Sequence, residues 1–252
     1  MRKIGIRALA AAALVLGWSV SAAAQEAPAV DTVRVGSGSV RGAVLEAGTY
    51  TLANYLRDDG DDTRISTTTQ TVEGDSVGGV EVWVISTEHV SDDTTRSRIT
   101  VRADDYSLVH HRVKGARDST AVSANSEYLT GWVVLPDQPI ALLDRVLEHP
   151  VFPVEGQIPW LFPLLPFAEG YSATVPHFNQ WRGETSWKTI RVLGRETLEV
   201  AGTDFETWKI DGGELFSGYT VTYWVDRATR RIVRGVASGS GDGPVYWSEL
   251  VD

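Results

Sequence analysis

From residue 44 onward, apolar and polar positions alternate in short runs. Runs rich in Val, Ile, Thr and aromatics cover 49–56, 65–72, 80–87, 98–102, 108–113 and 121–129, separated by clusters of Gly, Asp and Ser. The same texture returns at 185–193, 205–210, 220–225, 232–238 and 244–251. Neither block holds a 3.6-residue period for three turns. The pattern predicts a mainly β, antiparallel protein.

The two blocks read as copies. The first runs Thr71-Val72-Glu73-Gly74, Glu81-Val82-Trp83, Ile99 to Val101, a polar turn, and Leu108-Val109, closing with Ser126-Glu127 and Leu129. The second runs Arg191-Val192-Leu193-Gly194, Glu206-Thr207-Trp208, Tyr223 to Val225, a polar turn, and Ile232-Val233, closing with Ser248-Glu249-Leu250. Order and spacing held over four successive strands argue for duplication. Trp83 and Trp208 should then occupy equivalent strand positions, each followed by a hairpin turning near Asp104 and near Arg227. Asp side chains at such corners accept from backbone N–H groups just ahead.

A different segment, 132–184, joins the copies. Pro139 to His149 reads as its one helix: Pro139 suits a first turn, Ile140, Leu143 and Leu147 share a face, and Pro150 ends it. Phe152-Pro153-Val154 and Trp160-Leu161-Phe162-Pro163-Leu164-Leu165-Pro166-Phe167 follow. Their prolines argue against a central strand or a helix, which leaves an apolar, extended connector to be buried.

The beginning of the chain changes the compartment expected. Arg2, Lys3 and Arg7 precede an apolar stretch, 8–20, and then Ala22-Ala23-Ala24. This is the pattern of a secretory signal peptide, 1–24, cut before Gln25, which places the protein in the periplasm or outside the cell. Residues 25–43 read as a flexible leader and 44–252 as a single β domain (44–131 first unit, 132–184 connector, 185–252 second unit). No later stretch has the ~20 apolar residues of a spanning helix. The chain contains no cysteine, so disulfides, thiolate metal sites and a Cys nucleophile are excluded. The net charge is −10, and the signal peptide carries three cations and no acidic residue, so the remainder is more acidic still. An acidic remainder repels nucleic acid.

Three elements carry a family resemblance: Pro166-Phe167-Ala168-Glu169-Gly170-Tyr171; Val192-Leu193-Gly194-Arg195-Glu196 with Val200-Ala201-Gly202-Thr203-Asp204-Phe205; and Trp224-Val225-Asp226-Arg227-Ala228-Thr229-Arg230-Arg231-Ile232-Val233. They are similar to motifs of a bacterial envelope family known only as a domain of unknown function, with Asp204 as a departure between Gly and Phe. The likeness covers about 160–250 and is thin before that. It implies a curved antiparallel sheet, similar to the incompletely closed barrel of the lipoprotein carriers LolA and LolB, and implies no catalytic residues.

Signatures of common chemistry are missing: no Gly-x-Ser-x-Gly, His-Glu-x-x-His, Walker loop or dinucleotide fingerprint. Gly239-Ser240-Gly241-Asp242-Gly243 lies between strands and reads as a hairpin loop. Asp58-Asp59-Gly60-Asp61-Asp62 lacks the ligand order of a calcium loop and reads as a solvated hairpin tip. His110 and His111 are neighbours on a strand and face opposite ways; His149 sits where a cation suits the C-terminus of the expected helix, and His177 follows a proline in the connector. No metal, cofactor or catalytic residue is expected.

The informative excess is aromatic: nine tryptophans against one methionine. They either fill a large β core or line an apolar groove. Two functions from different classes follow. One is a non-catalytic binding or carrier module for an apolar, lipid-like ligand on the concave face, touched by Trp83, Trp160, Phe162, Leu164, Leu165, Phe167 and Trp208, with 160–167 as lid. The other is a structural or interaction protein of the envelope in which the connector is a permanent core plug. Whether an apolar cavity of ~300 Å³ or more survives under the connector separates them.

Overall fold

The computed structural model describes residues 30–251 apart from 36, 38–39, 41–44, 117, 153–154, 180–183, 217 and 241–242; the side chains of 155–157 and 215–216 are also left aside. The expected signal, most of the leader, Trp181 and part of the 239–243 loop lie outside the described residues. The strands are β1 Asp31–Thr32, β2 Gly48–Asp58, β3 Asp61–Val77, β4 Val80–Val90, β5 Thr94–Arg102, β6 Leu108–Lys114, β7 Ser119–Ala124, β8 Tyr128–Val134 and β9 Ala141–Val146. A 3-10 helix, Glu155–Leu164, follows, and then β10 Ser172–Asn179, β11 Glu184–Val200, β12 Thr203–Phe216, β13 Tyr219–Asp226, β14 Ile232–Gly239 and β15 Val245–Leu250.

All fifteen strands form one sheet, ordered β1-β10-β11-β12-β13-β14-β15-β2-β3-β4-β5-β6-β7-β8-β9. Among the described strand pairs β1–β10 alone is parallel, with one isolated parallel bridge between Phe152 and His177. The sheet is not closed: β1 and β9 are its edges. Laid flat, it would span about 70 Å. Yet Tyr50, Val72, Ile85, Val101, Val122, Leu129, Val175, Ile190, Ile210 and Val225, from strands across that width, share one core with the connector's Ile158, Leu161, Phe162, Leu164 and Leu165. Strands spread that widely reach one core only if the sheet curves around the connector.

The two units match in strand pairing and turn geometry. Trp83 pairs with Val101 on β5 and Trp208 with Val225 on β13. The next hairpins turn at 103–107 and 227–231. Ala103 N–H donates to Glu81 O (3.0 Å) and Arg227 N–H to Glu206 O (2.8 Å); Arg102 N–H donates to Ser107 O and Asp226 N–H to Arg231 O. The hairpins before these, β3–β4 and β11–β12, both turn through two residues, Gly78-Gly79 and Ala201-Gly202, with φ of 59° and 82° and of 51° and 78°. Positive φ at both central residues suits the twist of a tight hairpin. The corner carboxylates accept as expected: Asp105 from Ser107 N–H and Asp226 from Thr229 N–H. Sequence matching misplaced the closing element. Asn125 and Ser126 interrupt 121–129, so the partner of β6 is β7, and Leu129 belongs to the next strand.

Two expectations for the connector are corrected, and one strand was missed. Residues 139–149 form no helix: β9 (Ala141–Val146) pairs with β8 over Tyr128↔Val146 to Val133↔Ala141. His149 therefore caps no helix, and accepts from Arg34 Nη1 at 2.8 Å if Nε2 is unprotonated. The proline-rich stretch is the helix, a 3-10 helix containing Pro159 and Pro163. The proline φ near −65° suits 3-10 geometry, and each proline removes only its own N–H from the ten-residue element. Finally, 172–179 is a strand despite Pro176. It runs along the sheet margin, where β1 covers only Ala173 and Thr174, and margins tolerate proline.

Candidate functional site

β2, β3 and β4 turn alternate residues toward the curved interior. Pairing sets Tyr50 opposite Gln70 and Leu52 opposite Thr68, then Gln70 opposite Thr87 and Thr68 opposite His89. An inward face filled by its core would carry apolar side chains at these positions. Here four of the six are polar, and they line a cavity of about 280 Å³.

The opposite wall comes from the 3-10 helix and the β13–β14 corner: Pro159, Trp160, Pro163, Tyr223 and Ile232, with Thr229, Arg230 and Arg231 at the corner and Glu46 and Ser248 completing the polar lining. Trp160 and Tyr50 meet at 6.0 Å between ring centroids, inclined by 52°. Phe162 lies behind this wall and meets Tyr223 edge-on at 5.2 Å. One side of the cavity is therefore aromatic and apolar, and the other is a sheet of hydroxyl, amide and imidazole groups.

Hydrogen bonds hold the polar side. Asn54 Nδ2 donates to Thr68 Oγ1 at 2.9 Å, and Thr68 Oγ1 lies 3.0 Å from His89 Nδ1. Thr87 Oγ1 is buried with no hydrogen-bond partner among the described residues. Two arginines hold the corner. Arg230 Nη1 donates to Leu165 O at 2.9 Å, tying the turn to the connector. The Arg231 guanidinium lies 5.5 Å from the Tyr50 centroid, and its Nη2 is 3.4 Å from Glu46 Oε2. Burial pushes the Tyr50 phenol well up, against the nearby Arg231 charge; burial does the same for Tyr223.

Of the seven residues expected to touch a ligand, Trp160 lines this cavity. Phe162, Leu164, Leu165 and Phe167 are buried in the core, with the Phe162 and Phe167 rings 5.9 Å apart. Trp83 packs against the core from its edge. Trp208 is buried, with the guanidinium groups of Arg195 (5.0 Å) and Arg227 (5.2 Å) over its ring. The polar wall and Arg231 were missed. Their signal is polar residues at inward strand positions, which can be read only once the phase of each strand is known. Among the described residues no three His, Asp or Glu side chains are grouped to hold a metal ion. No described helix is long and apolar enough to cross a membrane.

These features define a mainly β protein: one open, internally repeated sheet wrapped around a helical connector. The chain belongs to the family DUF3108, described as "Protein of unknown function", which it matches over residues 49–245. The family match thus takes in both copies, well beyond the 160–250 suggested by motifs. Among solved structures the chain is similar to one titled as a candidate lipoprotein from Parabacteroides distasonis ATCC 8503. Identity is 9%, coverage is 84% of this chain and 97% of that one, and the TM-score is 0.28. No curated protein matches the chain.

Proposed function

We propose that this is an exported, non-catalytic binding module for a small amphipathic molecule, held in the cavity between the 3-10 helix and β2–β4. One observation carries the reading: Thr68, Gln70, Thr87 and His89 occupy inward positions opposite Trp160, Pro159 and Pro163. A sheet filled only for stability would place apolar side chains there, because a buried polar group without a partner costs about 1–3 kcal/mol. At about 280 Å³ the cavity falls just below the usual ligand-site volumes, roughly 300–1,000 Å³, and suits a single chain or ring. The basic, apolar and alanine-rich segment 1–24 supports export. In this reading the connector is a wall, not a lid.

A neutral, environment-sensitive dye, N-phenyl-1-naphthylamine, tests it. Saturable binding at one site per chain is expected. Gln70→Phe, which fills the cavity from the polar side, should abolish binding without lowering the melting temperature. Non-saturable binding, or binding indifferent to Gln70→Phe, would favour the second reading, a structural envelope protein with the connector as permanent plug. The complete burial of Leu161 and Phe162 is the observation on that side.

A further inference from the structure

We infer that the molecule bound in this cavity is a carboxylate amphiphile with one apolar chain, and that Arg231 holds its headgroup in the place now taken by Glu46. The inference rests on the binding reading above and adds the ligand's charge and polarity.

The cavity lining carries two guanidinium groups, Arg230 and Arg231, against one carboxylate, Glu46, in a chain whose net charge is −10. Cations have therefore been placed at the cavity against the overall balance of the molecule. The two arginines do different work. Arg230 sits at φ +61° and is committed to Leu165 O, so it fixes the corner to the connector. Arg231 follows immediately, and its chain direction is set by backbone bonds: its O accepts from Asp226 N–H, and its N–H reaches Thr229 Oγ1 at 3.4 Å. Tyr50 supports the guanidinium from one face.

A guanidinium has five N–H donors arranged to meet a carboxylate in pairs. Arg231 uses one such contact among the described residues, the 3.4 Å approach to Glu46 Oε2. That distance is long beside the ~2.7–2.9 Å of a firm charge-assisted bond. The two side chains differ in exposure: Arg231 is 32% exposed, Glu46 65%. Glu46 precedes β2 and can swing into water at little cost, whereas Arg231 is held by its turn and by Tyr50. The pair is thus a fixed cation with a replaceable internal anion. A ligand carboxylate arriving at Arg231 would lay its chain against Trp160, Pro159 and Pro163. A volume of about 280 Å³ suits one chain and not the paired chains of a phospholipid.

Displacement of the bound neutral dye by decanoate, decanol and methyl decanoate, with the full chain and its variants, tests this. Decanoate should bind about tenfold or more tighter than decanol, the scale of a charged hydrogen bond. Arg231→Gln should bring decanoate down to the decanol level and leave decanol unchanged. Glu46→Gln, at an exposed position, should tighten decanoate several-fold by removing the competitor, again with decanol unchanged. Melting temperatures of both variants control for folding. Equal affinity for decanoate and decanol, or Glu46→Gln weakening decanoate, would overturn the inference while leaving a binding module. If neither the dye nor any of the three compounds binds, the function proposed above falls with it.

Discussion

Tyr106 and Arg230 are the same position in two copies of one turn. Their φ angles are 62° and 61°, and their N–H groups donate to the carbonyl four residues back, Arg102 at 3.1 Å and Asp226 at 2.9 Å. The side chains then diverge. Tyr106 is fully buried in the first copy, whereas Arg230 reaches across to the connector at Leu165 and leaves the cavity beside it. The duplicated turn has one filled version and one hollow version.

Tyr106 Oη is buried without a hydrogen-bond partner among the described residues, and burial pushes its phenol well up. Tyr106→Phe keeps the ring and removes the stranded hydroxyl, so stability should rise by about 1 kcal/mol. Tyr106→Ala should cost about 3–5 kcal/mol. Urea unfolding followed by tryptophan fluorescence reads both.

Phe162 and Leu165 are 0% and 1% exposed. Exchanging both for serine removes core volume and buries two hydroxyls. A loss of several kcal/mol is expected, seen as a melting temperature lower by well over ten degrees or as failure to fold. A double variant that keeps its melting temperature would show that the connector moves as a lid.

On the outer face of β5 and β6, Arg98 stands directly opposite Arg112 and Arg96 opposite Lys114, and all four are exposed. Glu88 pairs with Arg96 at 2.5 Å. Like charges directly opposite each other destabilise a sheet. Arg112→Glu should therefore stabilise the protein by roughly 0.5–1 kcal/mol, and the gain should shrink in 1 M salt.

His177 is 3% exposed on β10. Burial first, and the Lys188 charge second, push its imidazole down to about 4 from 6.5. The unfolded chain takes up this proton below pH 6.5 and the folded chain does not until about pH 4. The stability from a neutral His177 is thus present above pH 6.5 and is lost as pH falls from 6.5 to about 4, by up to about 3 kcal/mol. Subtracting the pH–stability curve of His177→Leu should isolate this limb. His110, lowered by partial burial and by Arg112, contributes a smaller slope of the same sign in both proteins.

The strands were legible where side-chain alternation and turn chemistry agreed. Glu81 to Leu108 and Glu206 to Ile232 could be matched because each has a tryptophan, an apolar strand and a polar corner in one order. Residues 139–149 misled because Ile140, Leu143 and Leu147 have helical spacing. Ile140 and Leu142 are in fact 64% and 77% exposed, and pairing with β8 decides the conformation, a partner that local pattern cannot supply. Trp160 was legible as a site residue because it is large and lies in an apolar run. Thr68, Gln70, Thr87 and His89 were not, because polar residues on a strand look solvent-facing until register sets their phase. Arg231 stood in a recognised hairpin motif, yet its role depends on Tyr50 and Glu46, some 180 positions earlier.

The β15–β2 ladder has a consequence for the order of assembly. β2 through β9 pair strictly with their sequence neighbours, and so do β10 through β15. Each half is a meander whose contacts are local and quick to form. Among the described strands, the halves pair where β15 lies against β2, where Trp247 Nε1 donates to Asp62 across 185 residues and its ring stacks on Tyr55 at 4.1 Å. This seam must wait for the longest loop in the molecule to close. Refolding should show two fast phases from the meanders and a slower one from the seam. The slower phase is the one that Trp247→Ala should retard and that Arg112→Glu, inside a meander, should leave alone.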